Sequence, residues 1–123
     1  MTGEPDDGVL VVDDDADIRE ILVEVIEDHG YRASGAANGL EALQRLRGGM
    51  RPCLILLDLM MPVMNGPTFR AEQRRDPALA GIPVVVLSAY RGAFDDVDAM
   101  GAKAILDKPV DLHRILRVIE DAC

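Results

Sequence analysis

Five short apolar runs alternate with amphipathic stretches along the chain. The first run, Val9–Val12, is β-branched and ends at Asp13, Asp14 and Asp15, residues that stop a strand and can cap a helix. Ile18, Ile21, Leu22, Val25 and Ile26 then recur at helical spacing, with Glu20, Glu24 and Glu27 between them on the solvated side. Gly30 closes that helix. Residues 31–36 form a weaker strand, expected nearer a sheet edge, and 37–39 a turn. Leu40, Leu43 and Leu46 mark a second helix, stopped by Gly48 and Gly49.

The run Cys53–Leu57 is apolar at every position, as expected of a strand covered on both faces, and it leads into Asp58. Residues 60–66 read as a loop, and a third helix is predicted from about Pro67 to Arg75, because proline is accepted in a first turn. Pro83–Leu87 is a second buried strand ending at Ser88 and Ala89. A fourth helix near Ala93–Met100 is poorly signalled. Ala104–Leu106 is the fifth strand, and Leu112, Ile115, Leu116 and Ile119 lay out the last helix. Strand and helix thus alternate five times. The pattern predicts a single α/β domain over residues 1–123, a parallel sheet with helices on both faces and right-handed crossovers, with residues 1–7 flexible.

Composition narrows this picture. Aromatics make up only 3% of residues, so the core must be aliphatic. The net charge of −9 disfavours contact with nucleic acid and suits a bound cation or a basic partner. No apolar run approaches the length of a membrane span, and residues 1–8 lack the features of a signal peptide, so a soluble, cytoplasmic protein is expected. The two cysteines, Cys53 and Cys123, suggest no disulfide framework. Both read as reduced thiols, Cys53 buried and Cys123 frayed.

Ligands of parallel sheets gather at the carboxyl ends of the strands. There the first strand delivers Asp13 and Asp14, the third Asp58, the fourth Ser88, and the fifth Asp107 and Lys108. Clustered carboxylates repel one another, and a small divalent cation relieves that repulsion. Hard oxygen ligands suit Mg²⁺. With Lys108 as a second cation and Ser88 as a hydroxyl, such a site can stabilise a phosphoryl group in transfer, with Asp58 as the nucleophile. Taken singly, each residue has a plainer role, as a helix cap, a turn residue or a strand-end hydroxyl.

Four segments carry a resemblance over nearly the whole chain: Val9–Asp14, Leu56–Gly66, Val86–Ala89 and Asp107–Pro109. The stretch from Asp58 to Gly66, D-L-M-M-P-V-M-N-G, is the most specific. The chain resembles the receiver domains of two-component response regulators, and the resemblance implies a flavodoxin-like (βα)5 doubly wound five-stranded parallel sheet of strand order 2-1-3-4-5. The resemblance implies that Asp58 accepts a phosphoryl group from a histidine kinase or a phosphotransfer protein. It makes Asp14 a direct Mg²⁺ ligand, Asp13 a ligand through water, and the Met60 carbonyl a further ligand, with Asp58 beside them. Lys108 would contact the phosphoryl group, and its bond to Pro109 would be cis. Ser88 would move onto a phosphoryl oxygen and reshape the face made by the fourth helix, fifth strand and fifth helix. A downstream protein would bind that face, and two copies of the chain could pair through it. The chain would be a switch, not a turnover enzyme.

Two departures from the family pattern fall on that face. Where members often carry Tyr or Phe, three residues before the lysine, this chain has Ile105; Tyr90 is the nearest alternative switch residue, though a half-exposed loop tyrosine is the plainer expectation. The stretch between Ser88 and Lys108 is also short, implying a truncated or irregular fourth helix. Met60 and Tyr90 occupy positions that tune phosphoryl lifetime, and their bulk and lack of charge imply slow self-dephosphorylation. Arg70, Arg74 and Arg75 read as a solvated helix face, with a partner-facing patch as the alternative. His29 and His113 lack metal-ligand spacing. Two other classes compete. A Mg²⁺-dependent phosphatase with an aspartyl intermediate would need an acid two residues past Asp58, where Met60 stands. A flavin module would need a phosphate-cradling loop where the three aspartates lie.

Overall fold

The computed structural model describes residues 7–88 and 100–123. Five strands, β1 (Val9–Val12), β2 (Ala33–Ala36), β3 (Leu54–Asp58), β4 (Val84–Ser88) and β5 (Ala104–Asp107), form one parallel sheet in the order β2-β1-β3-β4-β5. Four helices are described: α1 (Ala16–Asp28), α2 (Gly39–Arg47), α3 (Gly66–Arg75) and α4 (Leu112–Ala122). The helix expected near residues 93–100 and the switch candidate Tyr90 lie outside the described residues, as do residues 1–6. Asp7, expected to be flexible, pairs with Arg51: its carboxylate accepts the Arg51 N–H at 2.7 Å.

The unbroken apolar runs are explained by the sheet's two faces. Side chains alternate along a strand. Leu10, Val12, Ile55, Leu57, Val84 and Val86 therefore face α2 and α3, where they meet Leu43, Leu46 and Phe69. Their neighbours Val9, Val11, Leu54, Leu56, Val85 and Leu87 face α1 and α4, meeting Leu22, Ile26, Ile115 and Ile119. Because both faces are covered, no strand position in the three central strands can be polar until the edge is reached. β2 is an edge strand, as expected, and only Ala36 in it is fully buried.

Short polar residues set the helix starts. Asp15 caps α1, accepting the Asp17 and Ile18 N–H groups at 3.0 and 3.2 Å. Asn38, Asn65 and Asp111 cap α2, α3 and α4 in the same way. Gly66 has a second role. A Cβ there would sit 2.6 Å from the Asp58 carbonyl oxygen, so only glycine lets α3 begin against the end of β3.

Two expectations are corrected. Arg70 is not on a solvated face. It is 8% exposed, donating Nε to the Met100 carbonyl at 2.8 Å, Nη2 to the Gly101 carbonyl at 3.2 Å and Nη1 to Gln73 Oε1 at 2.8 Å. Gln73 in turn donates to the Leu79 and Ile82 carbonyls. The pair satisfies backbone oxygens from two connections that would otherwise be buried without donors. Arg74 and Arg75 are exposed, as expected. The cysteines are not free thiols either: Cys53 and Cys123 form a disulfide across 70 residues. Sequence separation hid the juxtaposition, because the topology returns α4 to the start of β3. Nor is Cys123 frayed, as its N–H bonds the Ile119 carbonyl at 2.7 Å.

Replacing Arg70 with methionine keeps bulk but removes every donor. We expect a loss of about 2–3 kcal/mol in urea unfolding, larger than for Arg75→Met, which should cost under about 0.5 kcal/mol. Equal small losses would mean that the carbonyls find water instead. Val63 gives a test of opposite sign. It is 77% exposed and holds φ at +68°, a left-handed conformation costly for a β-branched residue. Val63→Gly should therefore raise stability by about 0.5–1 kcal/mol, where glycine in relaxed backbone would lower it.

Candidate functional site

Register brings the polar strand ends together. Val12 pairs with Leu57, so Asp13 and Asp58 emerge side by side from adjacent strands. Asp58 pairs with Leu87, and Ser88 with Asp107, so the next strands deliver Ser88 and Lys108 to the same edge. The Lys108 N–H donates to the Ser88 carbonyl at 2.8 Å, extending the ladder to the lysine. The Lys108–Pro109 bond is cis, as the resemblance implied.

Carboxylate oxygens of Asp13, Asp14 and Asp58 lie within 4.8 Å of one another. Asp13 is wholly buried, Asp58 is 6% exposed, and Asp14 is open to solvent. Lys108 donates Nζ to Asp13 Oδ2 at 3.0 Å and lies 3.4 Å from Asp58 Oδ1. The other Asp13 oxygen accepts the Asp15 N–H at 2.9 Å, and Arg19 donates to the Asp13 carbonyl at 2.7 Å. One ammonium thus serves two buried carboxylates, with a third acid beside them. The consequence is electrostatic. Burial, then repulsion by Asp13, pushes Asp58 from 3.8 up to about 6, even though Lys108 pulls it down. For Lys108, burial alone would favour the neutral amine. Its hydrogen bond to Asp13 and the charges of Asp58 and Asp13 outweigh burial and raise its pKa.

The donor set is all hard oxygen around an excess of negative charge, which fits a small divalent cation. Asp14, Met60, Met61, Pro62 and Asn65 line a depression of about 330 Å³ at the same edge. The Ser88 hydroxyl is buried and has no hydrogen-bond partner among the described residues. On the far side of Lys108, an apolar groove of about 610 Å³ runs between α1 and the start of α4, past Ile18, Ile21, Val110 and Leu112. Ile21 is 55% exposed and Leu112 39%.

The structure therefore assembles Asp13, Asp14, Asp58, Ser88 and Lys108, and sets Met60 at the rim. Asp107 is exposed. Ile105 lies apart from the acids, half-buried against the α2–α3 side of the core. Arg19 was missed by sequence reasoning: one arginine on a helix gives no signal that it will reach back to the strand end that precedes it. The groove was missed as well, although Ile21 is conspicuous in hindsight as an apolar residue with no core to face.

Comparisons with known proteins agree with this geometry. Residues 9–120 match the family model described as response regulator receiver domain. The chain is 37% identical over 117 residues to a transcriptional regulatory protein CpxR homolog of Haemophilus influenzae, covering 91% of this chain and 48% of that one. The chain thus spans about half the length of that relative. A response regulator receiver protein from Pseudomonas putida superposes with a TM-score of 0.86 at 31% identity, covering 98% and 99% of the two chains. The response regulator TrrA of Thermotoga maritima, solved in complex with Mg²⁺–BeF, superposes with a TM-score of 0.82 at 28% identity, covering 94% and 98%.

The raised Asp58 pKa has a stability consequence for the metal-free chain. A carboxyl that holds its proton more tightly when folded stabilises fully below about 3.8, and loses that contribution as pH rises through about 6. Asp58→Asn never ionises, so in EDTA it should unfold about 1–2 kcal/mol harder than wild type at pH 7.5, with the gap closing by pH 4. A variant less stable than wild type at pH 7.5 would show that Lys108 attracts Asp58 more than burial and Asp13 penalise it.

Proposed function

The chain belongs to the response regulator receiver family, and we propose on that premise that it is a signalling switch phosphorylated on Asp58. The observation that carries this reading is the single Lys108 ammonium shared between Asp13 and Asp58, within a three-carboxylate cluster. Such a site is short of positive charge, and that deficit is what a divalent cation and a phosphoryl acceptor role require.

The donor would be a phosphohistidine on a sensor kinase or phosphotransfer protein. An Asp58 carboxylate oxygen attacks phosphorus, the P–N bond breaks, and an acyl phosphate forms as the imidazole leaves with a proton. Mg²⁺, held by Asp13, Asp14, Asp58 and the Met60 carbonyl, would offset the oxygens' charge. Lys108, already 3.4 Å from Asp58, would pair with a phosphoryl oxygen. Ser88, whose buried hydroxyl has no partner among the described residues, would donate to another. A hydrogen bond gained in the phosphorylated state would provide the differential contact that a two-state switch needs. The partial exposure of Ile21 and Leu112 beside Lys108 supports the α1–α4 groove as the surface a donor helix would cover. Ile105 in place of an aromatic leaves the output movement to aliphatic packing. A downstream protein, or a second copy, would read the β5–α4 side. We propose a cytoplasmic protein; no helix among the described residues is long and apolar enough to cross a membrane. With a net charge of −9, these residues are not proposed to touch nucleic acid.

Incubation with a small phosphodonor should add one phosphoryl group by intact mass, only with Mg²⁺ and not in Asp58→Ala. Phosphorylation surviving in Asp58→Ala would overturn the assignment. Met60 offers no acid to orient water, so the phosphoryl group should persist for minutes to hours, and loss within seconds would contradict that.

A further inference from the structure

The only two cysteines in the chain lie on two elements that meet at one edge of the sheet. Cys53 immediately precedes β3, the strand that ends at Asp58. Cys123 caps α4, the helix that starts four residues after Lys108. Their Cα atoms are 5.4 Å apart, a separation that a disulfide spans without backbone movement. The link therefore joins, at the far edge of the sheet, two elements whose other ends approach each other at the acidic edge.

Both redox states have a place in this structure. Cys53 is 6% exposed, and its Sγ lies 3.2 Å from the Gly8 carbonyl, so a thiol there has its acceptor in position. Reduction leaves no buried group stranded. Cys123 is an exposed residue. Before it, Ile115 and Ile119 are buried and Ala122 packs against the same core, while Glu120 and Asp121 are exposed, so the last turn of α4 has fewer core contacts than its middle.

We propose that Cys53 and Cys123 form a reversible redox staple that fixes the last turn of α4 to the base of β3, responding to small thiols and disulfides. In the forward direction the Cys123 thiolate attacks a low-molecular-weight disulfide, RSSR, forming a mixed disulfide and releasing one thiol. Cys53, losing its proton, then attacks the Cys123 sulfur and releases the second. Two protein thiols and one RSSR become one protein disulfide and two RSH; excess RSH reverses the sequence. Closing a 70-residue loop restricts the unfolded chain and holds the helix end in the folded one.

The test compares the full chain equilibrated with oxidised or with reduced glutathione. After oxidation the wild type should run as a monomer lighter by two hydrogens under denaturing, non-reducing conditions. It should melt about 5–10 °C above the reduced form, and amide exchange over residues 118–123 should slow roughly tenfold. Cys123→Ser, at an exposed position, should melt equally in both buffers, near the reduced wild type. The proposal is overturned if the cysteines end as glutathione adducts or interchain disulfides. An internal disulfide that changes neither melting nor exchange overturns it as well. Neither readout depends on phosphorylation, so failure here leaves the Asp58 assignment standing, and the reverse also holds.

Discussion

Two carboxylates buried beside one another, with one ammonium between them, form the interaction on which the rest of the site depends. Asp13 has no solvent contact and Asp58 almost none, yet among the described residues Lys108 is the single basic side chain placed against both. Removing two anions from water costs several kcal/mol each, and one cation cannot offset both. The imbalance appears as the elevated pKa of Asp58. The folded chain carries this destabilising feature at neutral pH, and its aliphatic core must outweigh it. A structure selected for stability alone would place a hydrophobe or an amide at one of these positions.

What keeps the acids together is the sheet. Parallel pairing fixes Val12 opposite Leu57, and the side-chain alternation of β1 and β3 is locked by cores on both faces. A slip of one residue would turn two sets of buried aliphatics into the wrong layers, so the register that positions Asp13 and Asp58 is enforced by much of the apolar surface in the molecule. Local contacts then finish the placement. The Asp15 N–H and Arg19 hold the Asp13 backbone and carboxylate, and the absence of a side chain at Gly66 lets α3 approach the end of β3. The site is thus packed at its base and meets solvent at Asp14 and Met60.

This division also explains what was legible in the sequence. Strand runs, helix stripes and turn residues are local patterns with fixed periods, and the order β-α repeated implies a parallel sheet covered on both faces, while the strand order followed from the resemblance. Asp13, Asp14, Asp58, Ser88 and Lys108 could therefore be placed at one edge by counting strand ends. The features that were not legible all depend on contacts distant in sequence or on single backbone angles. Arg70 looked like part of a charged helix face because its partners, the Met100 and Gly101 carbonyls, lie 30 residues away on a connection with no periodicity. Arg19 reaches a carbonyl, which leaves no mark in composition. Cys53 and Cys123 gave no spacing motif, since their proximity follows from α4 lying antiparallel to β3 across the sheet face.

The proposed output face includes Ile105 and Ser88, and the two differ in what they can contribute to a switch. Ile105 packs into the α2–α3 layer as an aliphatic residue among aliphatics, with none of the polar tip that lets a tyrosine choose between buried and solvated positions. Ser88 is different: its hydroxyl is buried with no partner among the described residues, so an arriving acceptor would give it a hydrogen bond. Because the Ser88 carbonyl also accepts the Lys108 N–H, movement of the Ser88 backbone would be felt directly at the lysine and at the turn leading into α4. Coupling between the acids and the outer surface would then run along the β4–β5 ladder and into the turn before α4, through hydrogen bonds already in place, and would not require a swinging ring.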